Sequence, residues 1–144
     1  MLGYKQALAD LGLEFRQEYV TENCITMERG SEGAQQLLAL KERPDAIFSA
    51  SDYPAITAMD TMKRLGIRIP EDIAVVGLAN EPIVNFLDPG LTSFDLDNNR
   101  IGQEAASMLM RKLNNKTDDI IEPVQKIVFE PKLIVRGSSL RNPL

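Results

Sequence analysis

The sequence predicts an α/β domain, a mostly parallel sheet flanked by helices. Three observations lead there. Short apolar runs rich in β-branched residues alternate with stretches whose apolar residues recur every three or four positions, the pattern of strands joined by helices. Gly, Pro, Asn or Asp punctuates nearly every junction between them. The 144 residues, 44% apolar and 26% charged, are enough for one ordinary core and too few for two.

The elements follow in order. Leu2, Ala7, Leu8 and Leu11 mark one face of an amphipathic helix that stops at Gly12. Opening inside a helix suggests a fragment of a longer protein. Leu13 to Tyr19 alternates weakly and is a strand candidate; Ser31 to Lys41 then carries Ala34, Leu37, Leu38 and Leu40 at helical spacing and ends at Arg43-Pro44. The stretch Asp45 to Asn80 is the most sharply patterned. A short apolar run ends in Ser51-Asp52, both suited to cap a helix. Ala55, Ile56, Met59, Met62 and Leu65 form its stripe, Gly66 and Pro70 stop it, and Ile73 to Leu78 reads as a second buried strand. Together they make a βαβ unit, whose ligands collect beyond the carboxyl ends of the strands. Beyond a turn at Asp88-Pro89-Gly90, Leu91 to Phe94 is a short strand, and Asp97 or Asn98 caps a helix striped by Ile101, Ala105, Met108, Leu109 and Leu113. The tail alternates on both sides of Glu130-Pro131, suggesting two short strands or a kinked pair.

Composition narrows the chemistry. With 16 basic against 21 acidic side chains, the charge of -5 offers no general attraction for nucleic acid. One cysteine, Cys24, rules out an internal disulfide, and the absence of histidine removes the commonest metal ligand and general base. No metal site, cofactor or catalytic residue is therefore expected. No apolar run approaches a membrane span and no signal-peptide pattern opens the chain, so a cytoplasmic protein without a membrane partner is the simplest expectation.

Specific strings carry more. GYKQAL, PDAIFSASDYPAITAMDTMKRLGIRIPEDIAVVGLANEP, DPGLTSFDLDNNRIGQEAA and LIVRGSS occur in an order and spacing that resemble the lactose-repressor and galactose-repressor family of bacterial transcription regulators. The resemblance covers essentially the whole chain. It implies one lobe of a type I periplasmic-binding-protein-like fold, with residues 1–144 forming the carboxyl-terminal part of an effector-binding and dimerisation domain. The helix at about 98–114 would belong with the first lobe, which these residues do not include. The family's helix-turn-helix likewise has no counterpart here, so operator DNA would be reached only through an amino-terminal domain outside this chain.

The resemblance also proposes a site. Ser51 stands where many members have an Asn that bonds the effector, Asp52 matches the family's Asp, and Tyr53 can offer an aromatic face. Ala79 replaces a common acidic ligand, which leaves Asn80 as the polar group at that strand end. Leu96 replaces another polar position, so its neighbour Asp95 is the substitute, and Ile25 gives an aliphatic wall where an aromatic residue is frequent. Each polar candidate has a plainer reading as a helix cap or turn residue. The family's arginine anchor would fall before Met1. The implied ligand is a small effector, by default a carbohydrate, although purine-like effectors occur in the family. A homodimer is also implied, through Ile56 and Met59 on one helix and Ile83, Phe86 and Leu87 in the following loop, some of which a lobe's own core would claim. The competing readings are a fragment of a periplasmic-type solute receptor, which shares the fold, and a small α/β enzyme using Asp52, for which no GxGxxG or phosphate-loop pattern is present.

Overall fold

The computed structural model describes residues 1–22, 26–114 and 125–141. Helix α1 spans Leu2–Asp10, α2 Met27–Leu38, α3 Asp52–Arg64 and α4 Asn98–Asn114. Strands β1 (Ala46–Phe48), β2 (Ala74–Leu78), β3 (Thr92–Asp95) and β4 (Lys132–Ile134) form one sheet in the order β1-β2-β3-β4. The first three are parallel and β4 runs antiparallel to β3. The expected mostly parallel α/β sheet is thus present, with the βαβ unit intact as β1-α3-β2.

Local chemistry accounts for the boundaries. Thr26 caps α2, its hydroxyl accepting the Arg29 N–H, so this helix starts four residues before the expected Ser31. Gly66 ends the chain's exit from α3 with φ +75, a left-handed position that glycine takes without steric cost. The weak alternation of Leu13 to Tyr19 does not form a strand. A 3-10 turn occupies Gln17–Tyr19, tied down when Arg16 donates to Glu42 at 2.6 Å and the Tyr19 hydroxyl donates to the Glu42 carbonyl. In the tail, among the described residues, only Lys132–Ile134 forms a strand, and 127–129 takes up no regular element.

The core lies between one sheet face and the α2–α3 pair. Met62, Val75, Val84 and Leu91 are fully enclosed there, with Ala55, Met59 and Leu38 around them. Gly30 lets the two helices close, because a side chain there would run into the carbonyl of Pro54 and the hydroxyl of Thr57. On the opposite face the register aligns Phe48 with Val76, and Leu78 with Phe94 and Leu133. Phe48 and Phe94 meet edge to face at 6.3 Å, yet Phe48 stays 58% exposed. Neither α1 nor α4 buries a residue.

The carboxyl-terminal segment is sewn into the sheet rather than trailing from it. Ser138 is completely buried between β2 and β3: its hydroxyl donates to the Val75 carbonyl at 2.6 Å and accepts the Thr92 N–H at 2.8 Å. Its own backbone continues the pattern, accepting from Val75 N–H and donating to the Gly90 carbonyl.

Candidate functional site

The carboxyl ends of β1, β2 and β3 bring Ser51, Asp52, Tyr53, Asn80 and Asp95 to one end of the sheet. Ser51 takes extended backbone angles at the start of α3 and makes no capping bond through its side chain. Its hydroxyl is therefore available, while its carbonyl accepts the Ser49 hydroxyl at 2.7 Å. Tyr53, on the first turn of α3, is 41% exposed.

Asp52 is different. It is 0% exposed; its Oδ2 accepts the Glu81 N–H at 2.8 Å and its Oδ1 accepts the Ser93 hydroxyl at 2.7 Å. A carboxylate so enclosed offers no surface to a ligand, which corrects its expected place among the effector contacts. It braces the site from behind.

Asn80 sits at φ +52, just after Ala79 at φ +115. The side chain is bracketed. Its Nδ2 donates to Asp95 at 3.1 Å and its Oδ1 accepts from Arg136 Nη2 at 2.8 Å. Arg136 is donor-only and Asp95 ionised is acceptor-only, so the amide has one orientation that satisfies both. Arg136 also donates through Nη1 to the Leu91 carbonyl, and Asp95 accepts the Asp97 N–H at 2.8 Å. Asn80 and Asp95, both half-buried, thus place an amide N–H beside a carboxylate oxygen, a donor and an acceptor of the kinds a hydroxyl can meet, since it does both.

Arg136 escaped the sequence reading as a site residue. Its signal was the LIVRGSS string itself: a lone arginine leaving a strand candidate, whose charge requires acceptors once half-buried. Ile25, expected as an aliphatic wall, lies outside the described residues, as does Cys24. Leu96 is half-buried beside Asp95.

The dimer candidates separate cleanly. Met59 is 3% exposed and belongs to the core, a correction that follows from its position on the sheet-facing side of α3. Leu87 packs partly against that core and Ile56 is half-buried. Ile83 and Phe86 lie on the 3-10 helix Pro82–Phe86 and are turned outward, Phe86 by 86%.

A groove of about 570 Å³ runs elsewhere, between α2 and α3, along Met27, Ser31, Thr57, Asp60, Thr61 and Arg64. Its hydroxyls are occupied locally. Those of Ser31 and Thr61 lie 2.8 Å apart, and Thr57 donates to the Met27 carbonyl. Asp60 pairs with Arg64. Among the described residues no group of His, Cys, Asp and Glu is arranged to hold a metal ion, and no helix is long and apolar enough to cross a membrane.

Comparison with known proteins decides the family. The periplasmic binding protein-like domain matches residues 1–139. The chain belongs to this family. Among relatives of the domain, the HTH-type transcriptional repressor PurR of Pectobacterium atrosepticum is 34% identical over 142 residues, covering 99% of this chain and 40% of that protein. The repressor CytR of Escherichia coli is 33% identical over 141 residues, again covering 40% of its length. The domain thus spans about 40% of the curated relatives it matches. In structure it resembles the transcriptional regulator CelR solved as a cellobiose complex, with a TM-score of 0.86, 32% identity, and coverage of 95% of this chain and 41% of that one. A LacI-family regulatory protein from Chloroflexus aggregans gives 0.82 and 31%, over 95% of this chain and 48% of that one. The lactose-repressor resemblance read from the strings is borne out, since the relatives are transcriptional repressors of that family and the periplasmic binding protein-like fold is shared.

Proposed function

We propose that this domain forms part of the effector-binding site of a bacterial transcriptional regulator, with the ligand seated on the carboxyl ends of β1, β2 and β3. The observation that carries the reading is the Asn80 amide, held between Asp95 and Arg136 so that donor and acceptor lie side by side. Ser51 and Tyr53 add a hydroxyl and an aromatic face at the neighbouring strand end. The first lobe, closing over them, and the helix-turn-helix that reads the operator belong to the parent protein, which would act in the cytoplasm. Effector binding then works by population shift between two lobe arrangements, a coupling that needs no chemical step.

The donor-acceptor pair favours an uncharged, hydroxyl-rich ligand, so a carbohydrate is the first class to try; the CelR relative was solved with one. The parent is a homodimer in this reading, with Ile83 and Phe86 in the seam and Ile56 at its edge. Thermal-shift measurements on the parent with cellobiose and a panel of neutral mono- and disaccharides test the proposal. One sugar is expected to raise Tm, and Asn80→Ala and Asp95→Ala to abolish that rise. A flat response across the sugars with a rise for a nucleobase would move the ligand class; a flat response to both would remove the effector reading.

A further inference from the structure

Three successive backbone amides at the end of β2 are each held by a different group. The Ala79 N–H donates to the Phe94 carbonyl at 2.9 Å, the Asn80 N–H to the Ser93 hydroxyl at 3.0 Å, and the Glu81 N–H to Asp52 Oδ2 at 2.8 Å. The Ser93 hydroxyl in turn donates to Asp52 Oδ1 at 2.7 Å. We propose that Asp52, acting directly and through Ser93, is the positioning residue that holds the Asn80–Glu81 turn in the conformation the effector meets. The proposal rests on the reading that Asn80 contacts the effector.

The backbone needs such a grip. Ala79 at φ +115 and Asn80 at φ +52 occupy regions that side-chain-bearing residues avoid, Ala79 most of all, because it has no polar group to compensate locally. A conformation of this kind persists only where its surroundings over-determine it. An ionised carboxylate accepts and never donates, so Ser93 must direct its proton to Asp52 and turn its lone pairs to the Asn80 amide. The polarity of the chain Asn80 to Ser93 to Asp52 therefore follows from one charge. Burial strengthens it, since both Asp52 and Ser93 are sealed from water. The same carboxylate stands on the first turn of α3, whose next residue is the exposed Tyr53, so the clamp ties the two strand ends of the site into one unit.

Asp52→Asn breaks the polarity without changing shape, because one half of the amide must now donate. Ser93→Ala removes only the relay to Asn80 and leaves the Glu81 bond. The test is amide hydrogen exchange and NMR of the Asn80 side-chain NH2 pair, on this 144-residue chain. In Ser93→Ala, exchange at Asn80 is expected to quicken by about tenfold or more with Glu81 still protected, and the NH2 pair to lose its dispersion. In Asp52→Asn the amide oxygen can keep the Glu81 N–H while its NH2 forces the Ser93 hydroxyl to accept, so exchange should quicken at Asn80 more than at Glu81, while Val75 and Val76 in β2 keep their protection. Uniform acceleration across the sheet, or an unchanged Asn80, would overturn the proposal, as a purely structural carboxylate would behave. The effector reading fails separately: it fails if no sugar or nucleobase moves the Asn80 resonances in the unsubstituted parent.

Discussion

The α-carbon of Gly77 faces the carboxylate of Asp52 so closely that no side chain fits between them. A methyl there would collide with Asp52 Oδ1 and stand 3.0 Å from Leu91 Cδ2. Both neighbours are fully buried, and Asp52 is already bonded on both oxygens, so neither can retreat cheaply. Gly77→Ala should therefore lower stability by about 1–3 kcal/mol, the cost of overpacking a tight site. Gly102→Ala is the control. It lies in α4 with open space around it, and alanine there should raise stability by about 0.5–1 kcal/mol through helix propensity. Urea unfolding of the two variants reads both signs.

Met59 and Phe86 are both apolar and were both natural candidates for a subunit seam, but their surroundings demand opposite outcomes. Met59→Ala empties a core position and should cost about 2–5 kcal/mol. Phe86→Ser removes a ring already in water, so the folded chain should change by less than about 0.5 kcal/mol. In the parent, the same Phe86→Ser should shift sedimentation equilibrium toward monomer. An unchanged association constant would take Phe86 out of the proposed seam.

Ser138 provides a different kind of test, one of polar satisfaction. Alanine there leaves the Thr92 N–H and the Val75 carbonyl facing each other across a buried gap with nothing between them. The expected loss is about 1–3 kcal/mol, the penalty for an unsatisfied buried group, measurable by thermal unfolding. Ser139→Ala, whose hydroxyl shares Thr92 Oγ1 with the Arg136 backbone, should cost less. Equal losses would mean that the Ser138 hydroxyl's bridge between Val75 and Thr92 contributes nothing special to stability.

The sequence made the βαβ unit and its strand ends readable because periodicity reports burial, and burial dominates there: Ala55, Met59 and Met62 recur on the face that packs on the sheet. It misplaced what depends on single polar contacts. Leu13 to Tyr19 alternates like a strand, but no neighbouring strand pairs with it, and Arg16 with Tyr19 anchors a turn instead. Asp52 reads the same as cap, ligand or brace until Ser93 and Glu81, distant in sequence, come into bonding range. Arg136 likewise meets Asn80 only when the antiparallel β4 returns beside β3. Pattern identifies faces, whereas the partners of a polar side chain are set by the tertiary fold.

Acid should expose one further contact, remote from the site. Arg68 donates to Asp72 through Nη2 at 2.5 Å, through Nε at 3.0 Å and through its backbone N–H at 2.9 Å, closing the turn before β2. The Arg68 side-chain bonds first, and its backbone N–H second, push the Asp72 carboxyl down from its ordinary 3.8 to about 2. A depressed carboxyl stabilises the fold above its unfolded value and loses that contribution as pH falls through the folded one. The window is thus from about 4 down to about 2, and Asp72→Asn should unfold with a shallower acid limb across it. Because the pair is exposed, high salt should weaken the effect. Following the Asp72 side-chain carboxyl carbon by NMR gives the direct check: a midpoint near the ordinary value would mean that this bidentate contact does not persist in solution.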